Sequence, residues 1–250
     1  MDPLLDFTDK VVLITGAASG FGAQLSQEFS QRGAKLVIGD INEEGLAAVA
    51  ASLPGDATTV RCDVTSEADC AAMVEAAKEI YGRLDIAINN AGAGHEMGPL
   101  HTLSEETYDQ QFAINTKGVV FGMKHQIPVM MEQGGGRILN VSSMAGLGGA
   151  PKIGAYSAAK HAVIGVTKTA AVEYAKKNIL VNAVCPFFTL TPLVTDNALG
   201  EVQDFLAVGS PMKRLGQPEE ITNVMLMLCS PGNTYMTGQT IAIDGGVSAF

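Results

Sequence analysis

Tyr156 and Lys160 stand four residues apart in Tyr156-Ser157-Ala158-Ala159-Lys160, a spacing that puts both on one face of a helix. An unperturbed tyrosine, with a pKa of about 10, is a poor acid or base at neutral pH. A fixed ammonium beside it favours the phenolate and lowers that pKa. The pair is suited to moving a proton to or from an alcohol or carbonyl oxygen. Ser143 comes 13 positions before the tyrosine, and its hydroxyl can donate a hydrogen bond to an oxygen that gains negative charge. No Gly-x-Ser-x-Gly elbow surrounds Ser143, so it is not read as a nucleophile. A Tyr-x-x-x-Lys pair alone is more often a solvated helix face, and its weight depends on the elements around it.

Those elements follow from short β-branched runs that alternate with alanine-rich amphipathic stretches. Strands are expected over residues 10–15, 35–40, 57–62, 84–89, 137–142, 179–185 and 240–244. Helices are expected over 20–32, 43–53, 67–81, 155–177 and 217–229. Another helix starts at Ser104 and runs past Asn115 to a break near Pro128. Near-continuous apolar strands separated by helices predict a doubly wound α/β fold, a parallel sheet covered on both faces. No linker or fixed-period repeat interrupts residues 1–250, which predicts a single domain. The stretch 186–211 has no strong period and is the expected substrate loop.

Composition narrows the partners. The 250 residues are 47% hydrophobic and 17% charged, enough to build a large core. Sixteen basic residues against 26 acidic ones give a net charge of −10. That argues against nucleic acid, an anionic membrane surface or an acidic carrier protein as the main partner. Met1-Asp2-Pro3-Leu4-Leu5-Asp6 contains two acids and no apolar signal core, so a cytoplasmic location is expected. No apolar run is long enough to span a bilayer. Cys62, Cys70, Cys185 and Cys229 show neither a CxxC motif nor paired spacing, and Cys62 and Cys185, in strand-like apolar runs, read as buried, inert thiols. His95, His101, His125 and His161 form no ligand set, so no metal is expected. His95 could touch a substrate oxygen, but as a loop histidine it reads more readily as solvent-facing.

A second group of motifs points to a dinucleotide. The first strand ends in Thr15-Gly16-Ala17-Ala18-Ser19-Gly20-Phe21-Gly22 and feeds a helix. Glycines at 16, 20 and 22 allow a tight turn that brings backbone amides and the helix N-terminus against a pyrophosphate. Asp40 closes the second strand, 18 positions beyond Gly22. A carboxylate there accepts hydrogen bonds from ribose hydroxyls and repels a 2′-phosphate. Its neighbours Gly39, Ile41 and Asn42 supply no cation for that phosphate, so NAD is favoured over NADP. Asp63-Val64 follows the third strand and Asn89-Asn90-Ala91-Gly92 the fourth. Both lie at carboxyl ends of strands, where doubly wound folds bind ligands.

In this order, the motifs resemble those of the short-chain dehydrogenase/reductase family, from Lys10 to Gly246. The resemblance implies a seven-stranded Rossmann sheet and a catalytic tetrad of Asn115, Ser143, Tyr156 and Lys160. It makes the tyrosine the acid/base and Ser143 the holder of the reacting oxygen. Lys160 would lower the tyrosine pKa and bind the nicotinamide ribose, while Asn115 supports a water-linked proton relay. Asp63 and Val64 would line the adenine. Asn90, Ala91 and Gly92 would line the cofactor cleft, together with Pro186. The carboxamide would be held by Thr191, with Thr189 as second choice. One departure stands out: Phe187 occupies the place of the family's usual glycine after Pro186. A phenylalanine does not adopt positive φ cheaply, so the loop backbone should differ there and the ring should enter the substrate pocket.

The segments expected to face the nicotinamide are mainly apolar, with Met144, Ile153, Phe187 and Phe188 among them. This composition predicts a secondary alcohol or ketone with cyclic, aromatic or alkyl flanks. Two other readings compete with an NAD-dependent oxidoreductase. One is a 3-oxoacyl-carrier-protein reductase, disfavoured by Asp40 and the negative charge. The other is a non-catalytic NAD-sensing regulator, which should lack Tyr156 or Lys160. An apolar last strand and the long helix after residue 155 predict a homotetramer, with Phe250 reaching a neighbouring subunit.

Overall fold

A computed structural model describes residues 3–196 and 203–249; the expected role of Phe250 therefore lies outside the described residues. Among those residues seven strands form one parallel sheet in the order β3-β2-β1-β4-β5-β6-β7. The strands are β1 (Val11–Thr15), β2 (Lys35–Asp40), β3 (Ala57–Arg61), β4 (Ile86–Asn89), β5 (Gly136–Val141), β6 (Ile179–Pro186) and β7 (Thr240–Ile243). The strand order reverses between β1 and β4, and a crevice opens at their carboxyl ends.

Alternation along each strand divides the core in two. Val11 and Leu13 face one layer, built from α3 (Glu67–Tyr81), α5 (Gly118–Glu132) and α6 (Gly154–Tyr174). Val12 and Ile14 face the other, built from α1 (Gly20–Gln31), α2 (Glu43–Ser52) and α9 (Pro218–Cys229). The shorter α4 (Glu105–Phe112), α7 (Pro192–Thr195) and α8 (Gln203–Val208) lie over the carboxyl-end loops or within them. Asn42, Ser66 and Ser104 each accept a backbone N–H in the first turn of the helix they precede, as N-cap residues do. No described helix is long and apolar enough to cross a membrane.

Two departures from expectation matter for the site. The helix begun at Ser104 does not run uniformly through Asn115; Ala113–Lys117 is a π turn between α4 and α5. Nor does Pro128 end a helix, because α5 continues to Glu132 with the proline inside it. Buried Met123, Ile127 and Met130 hold that segment on the sheet, and this packing offsets the backbone hydrogen bond that proline cannot make.

A ladder of buried amides crosses the α5/α6 layer. Asn89 Nδ2 donates to Asn140 Oδ1 at 2.8 Å, and Gln126 Nε2 donates to Asn89 Oδ1 at 2.9 Å. Asn140 Nδ2 in turn donates to Thr167 Oγ1 at 2.9 Å. The thiols of Cys62 and Cys70, unpaired by spacing, are brought together, with Cys70 Sγ 3.6 Å from Val64 O. All four cysteines are buried and free.

Candidate active site

The glycine turn is built as the dinucleotide reading requires. Gly16 and Gly20 have positive φ, +67° and +53°, which favours residues without a Cβ. A Cβ at Gly22 would run into the Gly16 carbonyl. Ser19 precedes α1 without a side-chain cap, so the first turn of the helix presents its amides toward the crevice. Two side chains from neighbouring strands fix the turn. Thr15 Oγ1 accepts from the N–H groups of Asn90 and Ala91, both at 3.1 Å. Asn90 Nδ2 donates to the carbonyls of Thr15 at 2.9 Å and Gly16 at 3.1 Å.

Asp40, at the end of β2, accepts from Ala18 N at 2.9 Å and from Asn42 N at 2.9 Å. A carboxylate oxygen takes more than one hydrogen bond, so both oxygens retain capacity for ribose hydroxyls. Arg61 faces Asp40 in the strand register, but its guanidinium is engaged by Glu43 and Asp69. Ile41 is exposed next to Asp40. Asp63 turns back on its own segment, accepting from Thr65 N at 2.9 Å and Thr65 Oγ1 at 2.7 Å. Val64 is buried against Gly118. These residues and the glycine cradle fit a dinucleotide.

Past the carboxyl end of β5 and along α6, the proton-transfer candidates meet. Ser143 hydrogen-bonds the Tyr156 side chain, and its Oγ also accepts from Ala145 N at 3.1 Å. Lys160 is buried, 3% exposed, and its Nζ donates to Val141 O at 2.9 Å. Its Nζ lies 5.5 Å from the centroid of the Tyr156 ring. Ser142 Oγ donates to Lys160 O at 2.9 Å, tying this turn of α6 to the strand.

The electrostatics differ from the expectation drawn from spacing. Burial raises the Tyr156 pKa above its ordinary value, and the Ser143 hydrogen bond only partly opposes this. The Lys160 ammonium is hydrogen-bonded to the Val141 carbonyl. Burial instead brings Lys160 itself down to about 8. Beneath them Cys185 is pushed up to about 11 by burial, which keeps it an unreactive thiol.

Asn115 is fully buried in the π turn. Its Nδ2 donates to Ala93 O at 2.9 Å and to Gln111 Oε1 at 3.0 Å, and its Oδ1 accepts from Ala93 N at 3.2 Å. A Cβ at Gly92 would lie 2.8 Å from Asn115 Oδ1 and 3.2 Å from Lys160 Nζ. The glycine thus keeps the ground between these two side chains open.

The segment after β6 revises several expectations. Phe187 does not have positive φ, so the aromatic residue fits without backbone strain. Its ring pairs edge-to-face with Phe188, centroids 4.8 Å apart. Both rings line a cavity of about 120 Å³ with Ser210, Met212, Arg214 and Asp244. None of Asn115, Ser143, Tyr156 and Lys160 lines that cavity. The Phe187 N–H donates to Ile243 O at 3.1 Å, which anchors the segment at the end of β7. Thr189 is buried; it bridges Gly216 and donates to Phe187 O at 2.9 Å, so it turns away from the glycine turn. Thr191 is the threonine beside that turn, its Cβ 3.7 Å from where a Cβ of Gly20 would lie. Met144 and Ile153 are partly buried in the loops that flank Ser143 and Tyr156.

His95, expected in solvent, is partly buried, and its Nε2 is shut off from solvent with no hydrogen-bond partner. Only its place after Asn89-Asn90-Ala91-Gly92 hinted at a role. Among the described residues no cluster of His, Cys, Asp and Glu could hold a metal ion.

Known proteins share this architecture along the whole chain. A family model described as enoyl-(acyl carrier protein) reductase matches residues 16–248. Levodione reductase from Leifsonia aquatica is 36% identical over 260 residues, covering 99% of this chain and 97% of that protein. Cyclohexanol dehydrogenase from Acinetobacter sp. strain SE19 is 37% identical over 246 residues, covering 97% of this chain and 96% of that protein. The crystal structure of 3-ketoacyl-(acyl-carrier-protein) reductase from Brucella melitensis complexed with NADH matches with a TM-score of 0.92 at 36% identity. That match covers 97% of this chain and 99% of the other. By its motifs, sheet order and full-length relatives, the chain belongs to the short-chain dehydrogenase/reductase family of oxidoreductases.

Proposed function

We propose that this chain is an NAD-dependent oxidoreductase that interconverts a secondary alcohol and its ketone on an apolar, ring-bearing substrate. The observation that carries the reading is the meeting of Tyr156, Ser143 and Lys160 at the mouth of a crevice whose other wall is the glycine turn with Asp40. When bound, NAD supplies the hydride acceptor for the alcohol carbon, and NADH the donor for the ketone. Tyr156 stays a phenol at neutral pH, because burial raises its pKa. It is therefore in the form that protonates the oxygen during reduction, and in oxidation it takes that proton back. Ser143, hydrogen-bonded to the same side chain, holds the reacting oxygen. Lys160, with a pKa of about 8, keeps its charge at neutral pH and has donors left for the nicotinamide ribose. Across Gly92, Asn115 continues the polar path by which a proton leaves the site. Asp40 selects NAD, since Arg61 is already engaged by two carboxylates.

The relatives that act on cyclohexanol and levodione support a cyclic substrate. Acyl-carrier-protein reduction is favoured by the family description and the Brucella neighbour. A net charge of −10 opposes the approach of an acidic carrier. A panel of cyclic and aromatic secondary alcohols with NAD, followed by NADH formation, tests the reading. NADH binding without turnover of any of them would identify a sensor instead, and turnover confined to acyl-carrier thioesters would identify the carrier-protein reductase.

The same reading includes a homotetramer in the cytoplasm. Support comes from the outward face of α5 and α6, where Val172 is 82% exposed and Met131 borders an open groove with Ile127, Pro128 and Tyr174. The edge strand β7, only partly buried, supports it too. Four free cysteines support a reducing compartment. Light scattering giving the 26.0 kDa monomer mass at micromolar concentration would refute the assembly.

A further inference from the structure

Gln111 is the one residue of α4 that is buried, 1% exposed. Tyr108 and Phe112 of the same helix stack on each other and are less buried, so an amide holds the inner position while two aromatic rings do not. Burying an amide is costly unless its groups are paired, and both ends of this one are. Its Nε2 donates to Gly94 O at 3.0 Å, and its Oε1 accepts from Asn115 Nδ2 at 3.0 Å. The Gly94 carbonyl can only accept, so the nitrogen must face Gly94 and the oxygen must face Asn115.

Asn115 needs such a partner, because the π turn that carries it interrupts the regular helix between α4 and α5. Its Nδ2 is directed at Ala93 O, Gln111 Oε1 and Gln111 O, at 2.9, 3.0 and 3.2 Å. Its Oδ1 accepts from Ala93 N and borders, together with Lys160 Nζ, the open ground beside Gly92. The acceptor end of the amide thus lies on the Lys160 side and the donor end on the Gln111 side. Through Gly94, the same glutamine fixes the loop after β4, whose far end is tied by Gly98 N to Lys152 O at 2.9 Å.

Resting on the function proposed above, we infer that Gln111 is a positioning residue for proton transfer. It braces Asn115 against the loop after β4 and keeps the Asn115 oxygen turned to Lys160. It acts through Asn115, so its contribution exists only while Asn115 is present.

The test measures kcat and KM with NAD and cyclohexanol, or the alcohol of the panel that is turned over fastest, in the wild type, Gln111→Met, Asn115→Ala and the double variant. Methionine keeps the length of glutamine without the amide. Gln111→Met should lower kcat by about tenfold to a hundredfold, the scale of a misplaced group. Its KM for the nucleotide and its affinity for NADH should barely change. The double variant should be no slower than Asn115→Ala alone, because members of one network are not additive. Gln111→Glu covers the case in which Gln111→Met does not fold. As the protonated acid it keeps both the donor and the acceptor, so its activity relative to the wild type should recover as pH is lowered. Additive losses in the double variant, a loss carried by KM alone, or a Gln111→Glu defect indifferent to pH overturns the inference and leaves the proposed function standing. If the wild type oxidises no alcohol of the panel, both fall.

Discussion

The two walls of the crevice are made in different ways. On the cofactor side, side chains hold backbone: Thr15 Oγ1 takes two N–H groups, Asn90 spans two carbonyls, and Asp40 holds the Ala18 amide. Each partner is specific, and a change of residue type leaves a buried group unpaired. On the substrate side the segment after β6 packs on a small cluster of its own, with Val194, Leu206 and Leu215 at its centre, apart from the two main cores. Phe205 stands 78% exposed beside it. Apolar contacts of this kind are interchangeable among residues of similar size. The cofactor wall is thus constrained in residue type, while the substrate wall is constrained mainly in volume, which leaves room for specificity to diverge.

The largest effect expected falls where the two walls meet. Tyr156→Phe should lower kcat by ~10²–10⁴-fold, the range for loss of a general acid/base. NADH binding, followed by nucleotide fluorescence, should barely change. More than a tenth of the activity remaining would remove the tyrosine from the mechanism.

Next comes the cofactor wall alone. The wild type should use NAD at least ~10²-fold better than NADP in kcat/KM, about 2.7 kcal/mol. Asp40→Ala should erase most of that ratio and, by releasing the Ala18 amide, raise KM for both nucleotides. Equal use of both by the wild type would mean that Asp40 does not face the ribose.

Lys160 gives a pH signature of the seam. Its folded pKa of about 8 lies below the ordinary value of 10.5, so between these values the unfolded chain binds more protons than the folded one. The cost of burying the charge is in full force below pH 8 and fades as pH rises toward 10.5. At about 1.4 kcal/mol per pH unit, this contributes a gain of about 3 kcal/mol across the window. Urea melts from pH 7 to 10 should show that rise in the wild type and not in Lys160→Met; parallel curves would contradict it. Tyr156, with its raised pKa, acts only at the alkaline end and with the opposite sign.

The smallest effect belongs to the exit of the substrate loop. Arg214 clamps Glu220 with two contacts of 2.6 Å, and Glu220 accepts from Gln217 N at 2.8 Å. Both side chains of the ion pair are nearly half exposed, so Glu220→Gln should cost no more than about 1 kcal/mol. Glu220 is held down to about 2, so its contribution is present above pH 4.5 and is lost as pH falls toward 2. A larger loss at neutral pH would show the substrate wall to be as constrained as the cofactor wall.

This contrast also governs what could be read without coordinates. The parallel sheet, the glycine turn and the placing of Tyr156 with Lys160 followed from period, spacing and residue type, because each rests on local geometry. The raised pKa of the tyrosine did not follow, since burial is set by how the fold closes over the ring and not by spacing. The directions of Phe187 and Thr189 were equally hidden, because β7 and Gly216 decide them across the fold. Pro128 reads locally as a helix breaker, and only the packing beneath α5 overrides it. No local signal marks the loop that carries His95 as fixed, because Asn115 and Gln111, which hold Ala93 and Gly94, come from the π turn and α4.

The amide ladder of Asn89, Asn140, Gln126 and Thr167 has a consequence for how the chain reaches its fold. Asn89 and Asn140 are 51 residues apart in sequence, so β4 and β5 pair across a long chain closure. Their apolar residues Ile86, Ile88, Ile138 and Leu139 would tolerate many alignments. A slip by one residue, however, would turn Asn140 to the opposite face and strand several amides at once, each at about 1–3 kcal/mol. The ladder thus specifies the one alignment of β4 with β5 that the apolar residues alone would leave loose.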